Sequence, residues 1–90
     1  MTKADIVNNI AKETGVEKAL VQQVVEAFME EVKGSLIENE NVYLRGFGSF
    51  INKERAQKVA RNISKGTTIT IPAHKVPAFK PAKSFASKVK

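Results

Sequence analysis

Apolar residues recur at helical spacing from residue 6 to residue 11, between a polar start and a glycine. Thr2, followed three residues later by Asp5, is typical of a capping box at the N-terminus of a helix. Gly15 suits the left-handed conformation in which many helices end. The pattern predicts a first helix between Thr2 and Gly15.

A longer apolar stripe predicts a second helix from about Glu17 to about Glu38. Its members step by three or four residues, and Gln, Glu and Lys side chains occupy the opposite face. The stripe consists of Val21, Val25, Phe28, Val32 and Leu36, widened by Leu20, Val24 and Met29. The segment "ENEN" at residues 38–41 then indicates a turn. Gly34 inside this helix has no explanation in the pattern.

The second half of the chain alternates apolar and polar residues, which predicts β-strands. A first short strand covers residues 42–44, and a longer one runs to Asn62. Gly46 and Gly48 indicate a tight reversal between the two, with the backbone left accessible.

A four-residue loop at 63–66, with its glycine supplying a positive φ, would close a long hairpin. This register places Phe50 opposite Phe79 and Glu54 opposite Lys75, and both are favourable cross-strand pairs. The strands beyond the body would then form an isolated two-stranded ribbon, which is only marginally stable in water.

Three prolines follow the loop at residues 63–66. Pro72 and Pro77 indicate bulges or bends, since proline cannot donate a ladder hydrogen bond. Pro81 suits the first turn of a short terminal helix over residues 81–90.

These elements predict an α+β fold in a single domain of 90 residues. Two N-terminal helices occupy residues 1–40. A three-stranded antiparallel sheet with a long β-hairpin arm occupies 41–80, and the arm covers about 53–76. A short C-terminal helix occupies 81–90.

Without the arm, the body has fewer than about 70 residues, which is a thin core without disulfides or metal. The apolar stripe of the second helix, together with three phenylalanines, exceeds what one short helix can cover. A symmetric homodimer would bury this surface. Its expected core residues are Val25, Phe28, Val32, Leu36, Phe47, Phe50 and Phe79.

Charge is segregated along the chain. Residues 1–40 hold four lysines against eight carboxylates, a net −4, whereas residues 41–90 hold eleven Lys or Arg against Glu54, a net +10. Such polarity suggests that the second half faces a polyanion. A basic surface that only aids solubility is the alternative.

Residues typical of catalytic or metal chemistry are sparse. There is no cysteine, His74 is the sole histidine, and the serines have no evident catalytic partners. No phosphate-binding glycine motif, signal peptide or membrane-spanning run is visible. The sequence predicts no enzyme, no metal, no cofactor and no membrane partner.

The motifs "GFGSF", "ERAQKVARN" and "KVPAFKPAKSF" resemble the bacterial histone-like HU/IHF family of DNA-bending proteins, and the HU type in particular. The likeness covers the whole chain. It implies an intertwined homodimer whose arms wrap the minor groove, and which bends and compacts DNA with weak sequence preference. It also implies a cytoplasmic, nucleoid-associated protein.

Ile63 lies at the tip of the arm, where a polar residue is usual. Most members of the family that this chain resembles carry proline there, as an apolar wedge that enters a base step. Such wedges are already described for HU and IHF themselves. The resemblance therefore implies that Ile63 is the wedge. The alternative is that Ile63 folds back on the ribbon near Thr68 or Ile69.

The resemblance also implies which residues contact DNA. On the arm they are Lys53, Arg55, Lys58, Arg61, Asn62, Ile63, Lys65 and Lys75. On the body they are Lys3, Gly46, Gly48, Lys80 and Lys83. For Lys53, Lys65 and Lys75, a charged hairpin edge that prevents aggregation is an alternative. For the two glycines, the alternative is a steric role in the turn.

The expected ligand is double-stranded DNA, with a preference for bent, nicked or junction DNA, because phosphate contacts carry little sequence information. RNA is an additional ligand to test. A sequence-specific bender of the IHF type and a structural oligomer without a DNA role are the alternative functions.

Overall fold

The computed structural model describes residues 1–62 and 67–89. The elements in chain order are α1 Lys3–Thr14, α2 Lys18–Ile37, β1 Val42–Leu44, β2 Gly48–Arg55, β3 Lys58–Asn62, β4 Thr67–Ile71, β5 His74–Pro81 and α3 Lys83–Ala86. The predicted α+β class is confirmed. The chain divides into two compact units, Met1–Ser35 and Leu36–Lys90.

Helix α1 begins with the predicted capping box. The Asp5 N–H donates to Thr2 Oγ1 at 3.3 Å, and the Thr2 N–H donates to Asp5 Oδ2 at 2.9 Å. Gly15 ends the helix with a φ of 73°, and its N–H donates to the Ala11 carbonyl at 2.9 Å. Both helix boundaries therefore follow from local residues, as the sequence predicts.

The first unit buries few of its apolar side chains. Val7 on α1 and Val21 and Val32 on α2 are buried. By contrast, Val24 is 68% exposed and Phe28 is 44% exposed, although both belong to the apolar stripe of α2. One copy of the chain thus leaves much of this stripe uncovered.

The second unit contains a three-stranded antiparallel sheet in the order β1-β2-β5. Phe50 pairs with Phe79, and Glu54 pairs with Lys75, so the predicted register is confirmed. The aromatic rings give this sheet its packing. The Phe79 ring centroid lies 5.0 Å from those of both Phe47 and Phe50, and the Phe47 and Phe85 centroids are 5.8 Å apart.

Strands β3 and β4 form a separate two-stranded sheet, which we call the arm. The arm is shorter than the predicted 53–76, because residues 53–55 and 74–76 are paired in the three-stranded sheet. The hairpin is therefore not one continuous ribbon. Residues 56–57 on one side and 72–73 on the other interrupt it. Partner numbers keep the same constant sum on both sides of the break, so the interruption shifts no register.

The constant register excludes a bulge at Pro72 and at Pro77 and leaves the alternative of a bend. Pro72 lies in the interruption, where equal lengths are unpaired on both strands. Pro77 pairs with Asn52 inside the β2–β5 ladder. It is tolerated because β5 is an edge strand of the sheet and a proline needs no partner on the outer side.

The C-terminal segment also differs from expectation. Pro81 is the last residue of β5, paired with Gly48, and is not in the first turn of a helix. Helix α3 is only Lys83–Ala86, four residues long, instead of spanning 81–90. The Ala82 N–H donates to the Phe47 carbonyl at 2.9 Å, which fixes the chain as it leaves the sheet. Proline favours an extended residue before it and here extends the ladder instead of opening the helix.

Candidate nucleic-acid interface

Basic side chains mark the passage from the sheet to the arm. Arg55 ends β2 opposite His74, and Lys58 begins β3 opposite Ile71. All four are exposed. Together with Ala56 they line a cleft of about 380 Å³ at the interruption. The Nδ1 atom of His74 lies 3.0 Å from the Pro72 carbonyl oxygen. Such a cationic notch can accept an anionic group such as a phosphate.

Several predicted contacts lie farther along the arm. Arg61 and Asn62 are the last residues of β3, paired through their Cα positions with Thr68 and Thr67. Ile63 and Lys65 lie outside the described residues. The predicted wedge and its neighbouring lysine therefore stay predictions.

A second group of cations gathers on the body. Lys80 and Lys83 line a cleft of about 620 Å³ together with Arg45, Gly46 and Ser49. The turn between β1 and β2 and the end of β5 bring these residues together. Sequence reasoning missed Arg45. Its signal was its place directly before Gly46, in the turn that opens this cleft.

The two predicted glycines have different roles. Gly46 has a φ of 79°, and a Cβ added there would meet nothing within 4 Å. Gly48 is buried in β2, where a Cβ would lie 2.5 Å from Phe79 Cζ and 2.6 Å from the Lys80 carbonyl oxygen. The close approach supports the steric alternative for Gly48, which also lines the body cleft with Gly46. Gly46 keeps the open backbone that a close phosphate requires.

Lys3, in the first unit, already has a partner. Its ammonium nitrogen lies 2.8 Å from Glu26 Oε1, and the two side chains are 48% and 45% exposed. The hydrogen bond from Lys3 is the main cause that lowers the pKa of Glu26, with a second hydrogen bond from Gln22. Contact between Lys3 and a phosphate would require this exposed pair to separate, which is a small loss.

Lys75 and Lys83 are two further residues predicted to contact DNA. Lys75 donates from its ammonium to Asn39 Oδ1 at 2.9 Å. Lys83 opens α3, but a four-residue helix has too few aligned peptide units for a substantial dipole. A phosphate site at that helix N-terminus therefore has no basis, whereas the charge of Lys83 lies at the body cleft.

The residues expected in a dimer core divide by exposure. Val32 is buried within one copy, and Val25, Leu36 and Phe50 are half-buried. Phe28, Phe47 and Phe79 are exposed by 44%, 46% and 38%. The Phe47 and Phe79 rings are adjacent, with centroids 5.0 Å apart, and a contiguous exposed apolar patch is typical of an interaction surface.

Within 1–62 and 67–89, no group of three or more His, Cys, Asp or Glu side chains is placed to hold a metal ion. In that same part of the chain, no helix has both the length and the apolar character needed to cross a membrane.

Comparison with known proteins identifies the family of this chain. A DNA-binding protein HU of Staphylococcus aureus is 41% identical over 90 residues, which cover 100% of both chains. An integration host factor subunit alpha of Marinobacter nauticus is 38% identical over 99% of this chain and 89% of that one. The solved Anabaena HU–DNA cocrystal structure superposes with a TM-score of 0.90 at 35% identity, covering 99% of this chain and 97% of that chain. The profile of the family described as bacterial DNA-binding protein matches residues 1–90. The chain therefore belongs to the bacterial DNA-binding protein family that includes HU and integration host factor.

Proposed function

We propose that this protein is an architectural DNA-binding protein that wraps, bends and compacts double-stranded DNA without sequence specificity. The observation that carries the proposal is the basic hairpin. Exposed Arg55 and Lys58 lie where the sheet passes into the arm, and a second cationic cleft with Lys80 and Lys83 lies on the body. Family membership over the whole chain supports it independently.

The active form that we propose is a homodimer. In one copy of the chain, much of the apolar stripe of α2 and of the Phe47 and Phe79 rings is exposed to water. A second copy related by a two-fold axis would cover the same surface on both chains. The dimer would hold out two arms, so both flanks of a bent duplex could be contacted at once.

The proposed mode of binding relies on charge and shape. Lysine and arginine side chains neutralise phosphates and release condensed counterions, which gives affinity but little sequence information. An arm in the minor groove reads chiefly the width of the groove and the ease of deforming the duplex. DNA that is already bent, nicked or branched should therefore bind more tightly than intact linear DNA. RNA binding would be secondary.

The tip residue Ile63 completes the proposal as an apolar wedge. Its support is the resemblance to the family, since the sequence alone equally allows Ile63 to fold back on the ribbon near Thr68 or Ile69. Isoleucine is apolar enough to unstack a base step partly. It lacks the rigid ring of proline, so we expect bending to persist with an altered kink.

A site-specific bender is the second candidate, favoured by the similarity to an integration host factor subunit. A survey of bound sites separates the two. Enrichment of one sequence motif would favour the specific bender, whereas broad coverage would favour the architectural function.

The proposal assigns no catalytic step to the chain, because the family that matches its whole length is one of DNA-binding proteins. It places the protein in the cytoplasm with the nucleoid, since a DNA-compacting protein acts where the chromosome lies.

The test is a fluorescence titration of intact, nicked and four-way-junction DNA of equal length at several salt concentrations. Wild type should prefer the distorted substrates and lose affinity steeply with salt. Ile63→Ala should reduce that preference. Arg61→Ala should instead weaken binding to every substrate by a similar factor and reduce the salt dependence.

Each outcome decides something. If Ile63→Ala binds all three substrates as wild type does, the wedge is wrong and the arm acts through charge. If wild type binds no DNA at moderate salt, the architectural function is wrong, and a structural oligomer becomes the better description. Sedimentation of the same sample tests the dimer separately.

A further inference from the structure

We propose that Lys75 is a positioning residue that sets the direction in which the arm leaves the body, and that it is not a phosphate contact. It acts through a polar cluster of Asn39, Asn52 and Lys75, which we call the arm-root clamp. This inference rests on the proposed function, because it concerns how the arm is presented to DNA.

The first part of the clamp is the end of helix α2. Asn39 adopts a φ of 64°, in the left-handed region that asparagine tolerates better than most residues, and its N–H donates to the Leu36 carbonyl at 3.0 Å. This conformation ends the helix. It leaves the Asn39 side-chain oxygen as an acceptor for the strands that follow.

The second part is Asn52, in the middle of β2. Its side-chain Nδ2 donates to the Leu36 carbonyl at 2.8 Å and lies 3.4 Å from Asn39 Oδ1. Its backbone N–H donates to Asn41 Oδ1 at 3.3 Å. One half-buried asparagine therefore ties β2 to the Leu36 carbonyl in the last turn of α2 and to the turn after it. Carbonyls of the last helical turn have no partner within the helix.

The third part is the ammonium of Lys75, which donates to Asn39 Oδ1 at 2.9 Å across 36 positions of sequence. A lysine beside the carbonyl end of a helix is also favoured by the helix dipole. Lys75 thus joins β5 to the same point that Asn52 joins to β2. Lys75 lines a cleft together with Arg55 and His74, but its ammonium donates to Asn39 at the end of the helix.

The position of the clamp explains its effect. Glu54–Lys75 is the pair before Arg55–His74, which is the last pair of the three-stranded sheet before residues 56–57 and 72–73 interrupt it. Both strands are therefore held at their exit from the body. Without that hold, the arm would bend at the Glu54–Lys75 pair as well as at the interruption. The two arms of a dimer would then adopt the geometry that a bent duplex requires less often.

The test compares Lys75→Met with Asn39→Gly, singly and together. Met keeps most of the side-chain length without the donor. Gly keeps the positive φ while removing the acceptor. Lys58→Met serves as the matched control for loss of a phosphate contact. Hydrogen exchange of the backbone amides of residues 39 and 52 is measured without DNA. The salt slope, which is the change of log affinity with log salt concentration, is measured by titration. DNA bending is measured by the efficiency of fluorescence resonance energy transfer between the two labelled ends of a duplex.

We expect Lys75→Met and Asn39→Gly to behave alike. Each should reduce amide protection, lower the transfer efficiency of the bent duplex and weaken binding about threefold, and the double variant should be no worse than either. Their salt slopes should match wild type. Lys58→Met should instead reduce the slope by about one for each lost phosphate contact, with amide protection unchanged.

The inference is overturned if Lys75→Met reduces the salt slope as Lys58→Met does while Asn39→Gly binds DNA as wild type does. It is also overturned if the two substitutions have additive effects on amide protection. A wild type that binds no DNA would defeat the proposed function, but the exchange data would still show whether the two residues are coupled.

Discussion

Strands β2 and β5 continue into β3 and β4 with one unbroken register, yet the two stretches are stabilised differently. In the sheet, the Phe79 ring packs against Phe47 and Phe50, and polar side chains tie both strands to the end of α2. In the arm, the Cα pairing is the same, but Val59 is 64% exposed. Identical pairing therefore does not mean equal stability, because packing and side-chain hydrogen bonds decide it.

The largest expected effect tests that difference directly. Phe79→Ala removes the ring that touches two others, and we expect the free energy of unfolding to fall by about 2–4 kcal/mol, since the ring is partly exposed in one copy. Val59→Ala on the arm is the matched control and should change it by less than about 0.5 kcal/mol. Denaturant unfolding measures both. Equal losses would mean that the arm contributes packing of its own.

A smaller effect is expected at Gly48. A Cβ there would collide with the Phe79 ring and with the Lys80 carbonyl oxygen, and the carbonyl cannot move without disturbing the ladder. Gly48→Ala should therefore lower the free energy of unfolding by about 1–3 kcal/mol.

Gly46→Ala gives the control for Gly48, because its site is sterically open and only the positive φ disfavours alanine there. Restoring space with Phe79→Leu should rescue Gly48→Ala but not Gly46→Ala. If both alanine variants respond equally to Phe79→Leu, the close approach at Gly48 does not govern the sheet.

The smallest effect lies outside both regions, in the first unit, and gives an internal reference. Hydrogen bonds, from Thr2 to Asp5 and from Lys3 to Glu26, hold the pKa of each carboxyl below its ordinary value of 3.8 or 4.5. Because the folded pKa is the lower one, this stabilisation is present above the ordinary pKa and is lost as pH falls through the folded pKa.

Glu26→Gln should therefore have a slightly lower Tm than wild type at pH 7, and the difference should vanish once the pH has fallen through the lowered pKa of Glu26. Thermal unfolding followed by helical circular dichroism measures it. In a Lys3→Met background, Glu26→Gln should lower the Tm at pH 7 by less, since the ammonium that pairs with Glu26 is already absent. A gap between Glu26→Gln and wild type that persists in acid would show that the ion pair is not its cause.

Features set by neighbouring residues could be predicted from the sequence. The capping box of Thr2 and Asp5 and the helix end at Gly15 depend on residues within one or two turns. The register of Phe50 with Phe79 follows from the loop length alone. Lys80 and Lys83 were expected on the body from the resemblance, but the cleft that they share was not predicted.

Features set by distant residues could not be predicted in this way. Nothing in the local sequence indicates that Lys75 reaches Asn39, or that Gly48 is buried against Phe79. The prediction that Pro81 begins a helix was wrong, because both the start of a helix and the end of a strand suit its fixed φ. Only the pairing with Gly48 decides between them.

The interruption of the hairpin has a consequence for how the arm can change length in evolution or by design. Residues 56–57 and 72–73 are equal in number, so the register passes through them unchanged. Deleting one residue from one strand would slip every later pair and turn its side chains to the other face. Removing two residues from each strand would keep both the pairing and the faces, and would shorten the arm by about 6.6 Å. The reach of the arm is therefore quantised, in steps of two residues per strand.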